Sequence, residues 1–216
     1  MLEIIPAILT NDPKELKEKI RAVEGLVKRI QIDIIDGVFA DNRTVSLDAV
    51  ANIDTSLLLD IQLMTKEPAD WVERAVRALA DRVIGHIERM SDQSEFIGKV
   101  TETGEKVGLA IDLPTPVSAL DPVVLNNLDV VLVMSVKAGF GGQDFQEPAL
   151  EKVTELLSYR VNNNCKYRIC VDGGINEENI AKVRRAGADE IVIGHSLFTS
   201  ADVAQRIEEL KKAAYK

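Results

Sequence analysis

Cysteine, positive charge and long apolar runs are all scarce in this chain of 216 residues. Its two cysteines, Cys165 and Cys170, match neither a C-x-x-C pair nor a zinc-finger spacing, and a chain of this size needs no disulfide framework, so a reducing cytoplasm is the expected home. Twenty-six Lys+Arg stand against 35 Asp+Glu, a formal charge of −9 and a pI near 4.9. That balance repels nucleic-acid phosphates and anionic lipid alike, which argues against nucleic-acid and membrane partners. A phosphate could be held only as part of a small ligand, in a local pocket lined by amides. No apolar run approaches the length of a membrane span, and the opening MLEIIPAILT lacks the pattern of a signal peptide. Neither a G-x-G-x-x-G nor a Walker A sequence is present, so no nucleotide cofactor is expected.

What the chain does have is ordinary globular composition, 46% hydrophobic and 28% charged, enough to bury a core. Short aliphatic or β-branched runs fall at Glu3–Leu9, Arg29–Ile35, Ser56–Met64, Arg82–Ile87, Val107–Ile111, Val130–Met134, Arg168–Val171 and Glu190–Ile193. Several are apolar almost throughout, as strands covered on both faces are. They recur every roughly 22 to 38 residues, the length of a strand plus a crossover helix. Helical patterns lie between them at Pro13–Val27, Pro68–Ala80, Gln93–Thr103, Pro148–Arg160, Glu177–Ala186 and Ala201–Ala214. Pro13, Pro68 and Pro148 suit a first helical turn, and Asn11 or Asp12, and Asn176, offer cap oxygens. The remaining two helices fall to the shorter segments Leu47–Asn52 and Val117–Asn126, the latter interrupted by Pro122. Strict β/α alternation without a linker predicts one domain over residues 1–216, an α/β fold of the (β/α)8 TIM-barrel type, with a doubly wound sheet as the alternative.

In such a barrel function belongs to the C-terminal ends of the strands. The loop after strand six carries Gly139, Gly141 and Gly142; Asp172, Gly173 and Gly174 follow strand seven; Gly194 and His195 follow strand eight. Glycines there let backbone N–H groups approach a ligand, and the last two loops of a barrel frequently hold phosphate. By the two-residue strand period, Gln31, Asp33 and Ile35 share one face of strand two, and an ionisable residue in an apolar barrel strand is costly without a purpose. Asp36-Gly37 reads as turn chemistry. Strand three offers Gln62 and Met64, strand four His86 and Glu88, and strand six ends at Met134.

These residues resemble the ribulose-phosphate 3-epimerase family of the pentose-phosphate pathway. The likeness runs from Pro6-Ala-Ile-Leu-Thr10 through Ile32-Asp-Ile-Ile-Asp-Gly37, Gln62-Leu-Met64, Thr115-Pro116, Val131-Leu-Val-Met134, Gly139-Phe-Gly-Gly-Gln143 and Val171-Asp-Gly-Gly-Ile-Asn176 to Leu197-Phe198. The resemblance implies a barrel that moves a proton at C3 of D-ribulose 5-phosphate to give D-xylulose 5-phosphate. It further implies Asp33 and Asp172 as the acid/base pair, and Gln31, Gln62, Met64, His86 and Met134 around the substrate. Phosphate would fall to Gly139, Gly141, Gly142, Gly173, Gly174, Gly194 and His195. A small ketose phosphate is the implied partner, and association of like chains is an expectation from the resemblance alone.

The chain departs from the family pattern at the site. The family holds a divalent zinc or iron with two aspartates and two histidines; Asp33 and Asp172 are present, but Gln31 and Gln62 occupy the histidine positions. Ala7, Ile35, Lys137-Ala138 and His195 depart nearby. Racemising a carbon α to a ketone needs one group to take the proton, another on the opposite face to return it, and a means of holding the enediolate charge. Two neighbouring carboxylates sharing one proton supply the first two. The carboxamides of Gln31 and Gln62 are candidates for the third, donating to the enediolate oxygens. Three readings stay open: an epimerase without a tightly bound transition metal; an epimerase, of this or another ketose phosphate, using a hard cation such as Mg²⁺ or Mn²⁺ held by Asp33, Asp172, Gln31 and Gln62; and a sugar-phosphate-binding relative without turnover.

Overall fold

The computed structural model describes residues 2–216. Eight parallel strands, β1 (Glu3–Ile8), β2 (Arg29–Ile35), β3 (Leu58–Met64), β4 (Arg82–His86), β5 (Lys106–Ile111), β6 (Val130–Met134), β7 (Arg168–Asp172) and β8 (Glu190–Ile193), pair in sequence order. The barrel closes where β8 pairs with β1, from Glu3↔Glu190 to Pro6↔Ile193. The doubly wound alternative is thereby excluded. Strand alternation divides the apolar residues into two cores. Ile32, Ile34, Ile61, Leu63, Val131 and Val133 face outward against the helices, whereas Ile5, Ile84, Leu132, Cys170 and Val192 fill the barrel.

The helices follow their start signals closely and their stop signals less so. In α1 (Pro13–Val23), Pro13 occupies the first turn and Asp12 accepts from Lys14 N at 2.8 Å, while Leu16, Ile20 and Val23 are buried. It stops before the expected Val27 because Glu24 turns extended and Gly25 takes φ +79°. The short α2 (Leu47–Val50) is capped by Ser46. The segment expected as one helix over Pro68–Ala80 is a 3-10 turn, Pro68–Trp71, leading into α3 (Val72–Arg77), and ends where Leu79 enters the left-handed region. α4 (Gln93–Thr103) runs from the Asp92 cap to Gly104 at φ +86°.

Val117–Asn126 is not a helix. Two 3-10 turns, Val117–Ala119 and Leu125–Asn127, flank Pro122, whose missing N–H and ring exclude a continuous α-helix there. α5 (Pro148–Asn162), α6 (Ile180–Ala186) and α8 (Val203–Ala213) match expected helices with shifted ends. In α6 the expected cap Asn176 accepts from Glu178 N, but Glu177 to Asn179 form a turn before the helix. A short α7 (His195–Phe198), absent from the sequence reading, follows β8 directly.

Inside the barrel, alternate residues of β2 and β3 stack in layers from the N-terminal floor to the C-terminal mouth: Arg29, Gln31 and Asp33 on one strand, Asp60, Gln62 and Met64 on the next. The floor layer is ionic. Buried Asp60 is bonded by both Arg29 and Arg82, Arg82 reaches Glu190 at 2.7 Å, and Arg168 reaches Glu190 at 2.8 Å. Burial pulls Asp60 above its ordinary pKa against the two guanidiniums; Arg82 is pushed up because Asp60 and Glu190 outweigh its own burial. No helix among the described residues is long and apolar enough to cross a membrane.

Candidate active site

A cavity of about 450 Å³ opens at the C-terminal mouth. Asp33 and Asp172 lie on its wall with Met64 and Met134. Its rim is built by three loops, and every glycine singled out in the sequence, Gly139, Gly141, Gly142, Gly173, Gly174 and Gly194, lies on it together with His195. Gly174 has to be glycine: it sits at φ +61°, and a Cβ there would run into the backbone of Phe145. The loops are tied to one another. Ser135 Oγ donates to the carbonyls of Asp172 (2.9 Å) and Gly173 (2.6 Å), Ser196 Oγ to Ile175 O (3.0 Å), and Asn42 Nδ2 to Gly139 O (2.7 Å). The mouth is therefore a braced ring of backbone amides around two acids.

Below the cavity floor the chain buries a polar cluster. Gln31 Nε2, with two hydrogens to donate, lies 2.9 Å from Asp33 Oδ1, 2.9 Å from Asp172 Oδ2 and 2.5 Å from Gln62 Oε1. Gln62 Nε2 meets His86 Nε2 at 2.8 Å and Met134 Sδ at 3.4 Å, and His86 Nδ1 meets Glu88 Oε2 at 3.2 Å. Gln31, Gln62 and His86 are each 0% exposed and are not on the cavity wall. They stand one layer below that wall, bonded to the carboxylates and to one another, and Phe39 packs edge-on against the His86 ring with the ring centroids 4.9 Å apart.

The electrostatics follow from that burial. Asp33 is raised well above its ordinary value, first by desolvation and then by the charge of Asp172, against the Gln31 hydrogen bond. Burial likewise raises Asp172, to about 6, with Gln31 and His86 opposing. Each of the two acids is therefore easier to protonate than a solvated aspartate. Asp36 behaves as turn chemistry predicts: Oδ1 accepts from Val38 N (2.7 Å) and Phe39 N (2.9 Å), and Oδ2 from Lys66 N (2.7 Å). Lys137 is exposed and off the cavity wall.

The cluster does not fit a divalent metal. Among the described residues no three His, Cys, Asp or Glu side chains gather as a ligand set. The group at the centre is a carboxamide nitrogen, a hydrogen-bond donor and not a ligand. Gln31 Oε1, on the other side of that carboxamide, is buried without a partner.

The sequence reading missed Glu15, Lys19, Val136, Phe140, Asp144 and Asn176, which also line the cavity. Glu15 and Lys19 lie on α1, where the helical period gives charged residues to the outer face and carries no signal that α7 leaves a crevice beside them.

Comparison with known proteins agrees with this architecture. Residues 3–198 match the model of the ribulose-phosphate 3 epimerase family. The chain is 35% identical over 214 residues to the chloroplastic ribulose-5-phosphate-3-epimerase of Arabidopsis thaliana, covering 96% of this chain and 75% of that protein. It is 34% identical over 216 residues to the ribulose-phosphate 3-epimerase of Bacillus subtilis, covering 98% and 99%. Among solved structures, the 3-hexulose-6-phosphate synthase of Salmonella typhimurium superimposes with a TM-score of 0.72 at 15% identity, covering 99% and 98%, a likeness of fold. The chain belongs to the ribulose-phosphate 3-epimerase family.

Proposed function

We propose that this chain interconverts D-ribulose 5-phosphate and D-xylulose 5-phosphate by moving the C3 proton between Asp33 and Asp172, without a tightly bound transition metal. One observation carries the reading: two carboxyl groups on the wall of a single cavity, each 2.9 Å from the same amide nitrogen. An acid and a base within reach of one carbon are what epimerisation next to a ketone requires. Asp172, the less strongly raised, is the base in the forward direction. Its carboxylate takes H3, the C–H electron pair moves into the C2–C3 bond, and the ketone oxygen takes the negative charge. Asp33 then returns a proton to the opposite face of C3, and the ketone re-forms. The pair ends with one proton, as it began, carried by the other residue, so the reverse reaction uses the same groups. Gln31 donates to whichever carboxyl group is ionised. The phosphate is held at the rim by the loops bearing Gly139, Gly141, Gly142, Gly173, Gly174, Gly194 and His195, because the acidic cavity wall leaves backbone amides as its main donors.

The test is turnover of D-ribulose 5-phosphate by purified protein with and without EDTA. Equal rates support the reading. Loss on chelation with recovery on adding Mg²⁺, Mn²⁺ or Zn²⁺ makes it a metal enzyme, and ligand binding without turnover under every condition makes it a sugar-phosphate-binding relative.

A further inference from the structure

Lys152 plays no part in the steps above and lies off the cavity wall, yet its ammonium is enclosed by main-chain oxygens. From α5 its Nζ donates to the carbonyls of Asp112 (2.8 Å), Leu113 (2.7 Å) and Thr115 (2.6 Å), all on the loop that leaves β5. We propose that Lys152 stands in for a monovalent cation: its ammonium gathers three carbonyls and, through Asp112, sets the loop after β6 on which the phosphate ring is built. The carbonyl cage is independent of the reaction proposed above. Its link to the ring rests on that reading and makes Lys152 a positioning residue.

Carbonyl oxygens that converge on one point repel each other unless a cation lies between them. Here the backbone itself turns to bring them together, with Thr115 N donating to Asp112 O at 3.0 Å. The number of acceptors selects the charge state of the lysine. An ammonium has three hydrogens and a neutral amine two, so three carbonyls at these distances call for the charged form. Burial lowers the pKa of Lys152, and the charges of Asp112, Glu88 and Glu155 oppose that shift. All three hydrogens go to main-chain oxygens and none to a carboxylate, the kind of cage in which carbonyls replace the hydration shell of potassium.

The other side of the same turn is bonded to the cavity mouth. Asp112 Oδ1 accepts from Leu113 N (2.8 Å) and from Ala138 N (3.0 Å), and Asp112 N donates to Glu88 Oε1 (2.6 Å). Ala138 is buried and immediately precedes Gly139, the first glycine of the ring, whose carbonyl Asn42 holds at 2.7 Å. The loop after β6 is thus tied to one turn twice: at its start through Ala138 N, and beyond its end through Lys152 on the helix that follows. Without the cation the three carbonyls spread, Asp112 moves with them, and Ala138 N–H loses its acceptor. Asp33 and Asp172 stand on other strands and keep their places, so the loss falls on ligand binding and not on proton transfer.

Lys152→Ala removes the cation and leaves room for a small one. With ionic strength held by tetramethylammonium chloride, an ion too large for the cage, the variant is expected to raise KM for D-ribulose 5-phosphate about tenfold and to keep kcat within about threefold. Ammonium or potassium ion is expected to recover most of that loss and, without substrate, to raise the melting temperature of the variant; Li⁺, too small to touch three carbonyls at these distances, should do neither. The unmodified protein, its cage already filled, should respond to none of them. Asp112→Ala keeps the carbonyls but removes the acceptor of Ala138 N, and is expected to raise KM similarly with no response to ammonium. An unchanged KM in either variant overturns the inference. So does a Lys152→Ala protein that ignores ammonium and potassium, or that stays unfolded in their presence. Absence of turnover in the unmodified protein is the separate failure of the epimerase reading; the melting shift then still tests the cage, and calorimetric affinity for D-ribulose 5-phosphate tests its link to the ring.

Discussion

The barrel buries acids at both ends and treats them in opposite ways. On the floor, Asp60 and Glu190 are matched by the guanidiniums of Arg29, Arg82 and Arg168. At the mouth, Asp33 and Asp172 face carboxamides, with no guanidinium or ammonium among the described residues bonded to either. A guanidinium cannot give up its proton, so the floor is locked in one charge state. An amide stabilises an anion without fixing the number of protons beside it, which leaves the mouth free to carry the movable proton that the proposed mechanism needs. The two layers stand four residues apart on β2 (Arg29 and Asp33) and on β7 (Arg168 and Asp172), and on the proposed mechanism they divide the labour: charge pairing serves the fold, and incomplete charge pairing serves the chemistry.

The most damaging test of this division removes one charged group from each layer. Asp172→Asn takes away the base but leaves an amide where a carboxyl group was, and should lower kcat by about 10³ to 10⁴ while ligand affinity, and the melting temperature at about pH 4, change little. Steady-state kinetics and calorimetry on one preparation check both halves. On the floor, Arg82→Met leaves Asp60 and Glu190 buried and under-paired, with an expected loss of about 3 to 5 kcal/mol in denaturant unfolding and near-normal kcat for the protein that stays folded. If the floor variant lost activity without losing stability, the two layers would not be separable.

A smaller effect is carried by pH. Asp33 and Asp172 both lie above the range of an unfolded aspartate, so the folded chain holds a proton that the unfolded chain releases. For Asp172 this stabilisation is complete below about pH 4 and is lost as pH rises through about 6, at most about 3 kcal/mol over that window. The difference in unfolding free energy between the unmodified chain and Asp172→Asn, measured from about pH 4 to about pH 7, should follow that curve. A flat difference would mean that the acid is not raised.

Most of the barrel could be read from the sequence because its strands are nearly continuous apolar runs with β-branched residues, a signal that survives without neighbours. What could not be read depends on local backbone. The α3 segment carries a helical pattern, yet Glu67 and Leu79 take positive φ and cut it to less than two turns. Pro122 was visible as an interruption but not as the reason the segment fails to be a helix at all. At the site, the two-residue period correctly puts Gln31 beneath Asp33, and the pairing Asp33↔Gln62 lies within the β2–β3 register. Depth was the missing quantity. Nothing in the sequence says that the cavity floor lies above Gln31, Gln62 and His86, because the floor is set by side chains from opposite walls of the barrel.

The claim on which the rest depends is that a proton passes between two aspartates and the substrate with no metal between them. Protein whose metal content has been shown by elemental analysis to be far below one ion per chain, incubated with D-ribulose 5-phosphate in D₂O, tests it directly by NMR. The account predicts deuterium at C3 of the D-xylulose 5-phosphate formed, at a rate unchanged by chelator and absent in Asp172→Asn. Exchange that begins only when a divalent metal is added, or that persists in Asp172→Asn, would contradict it.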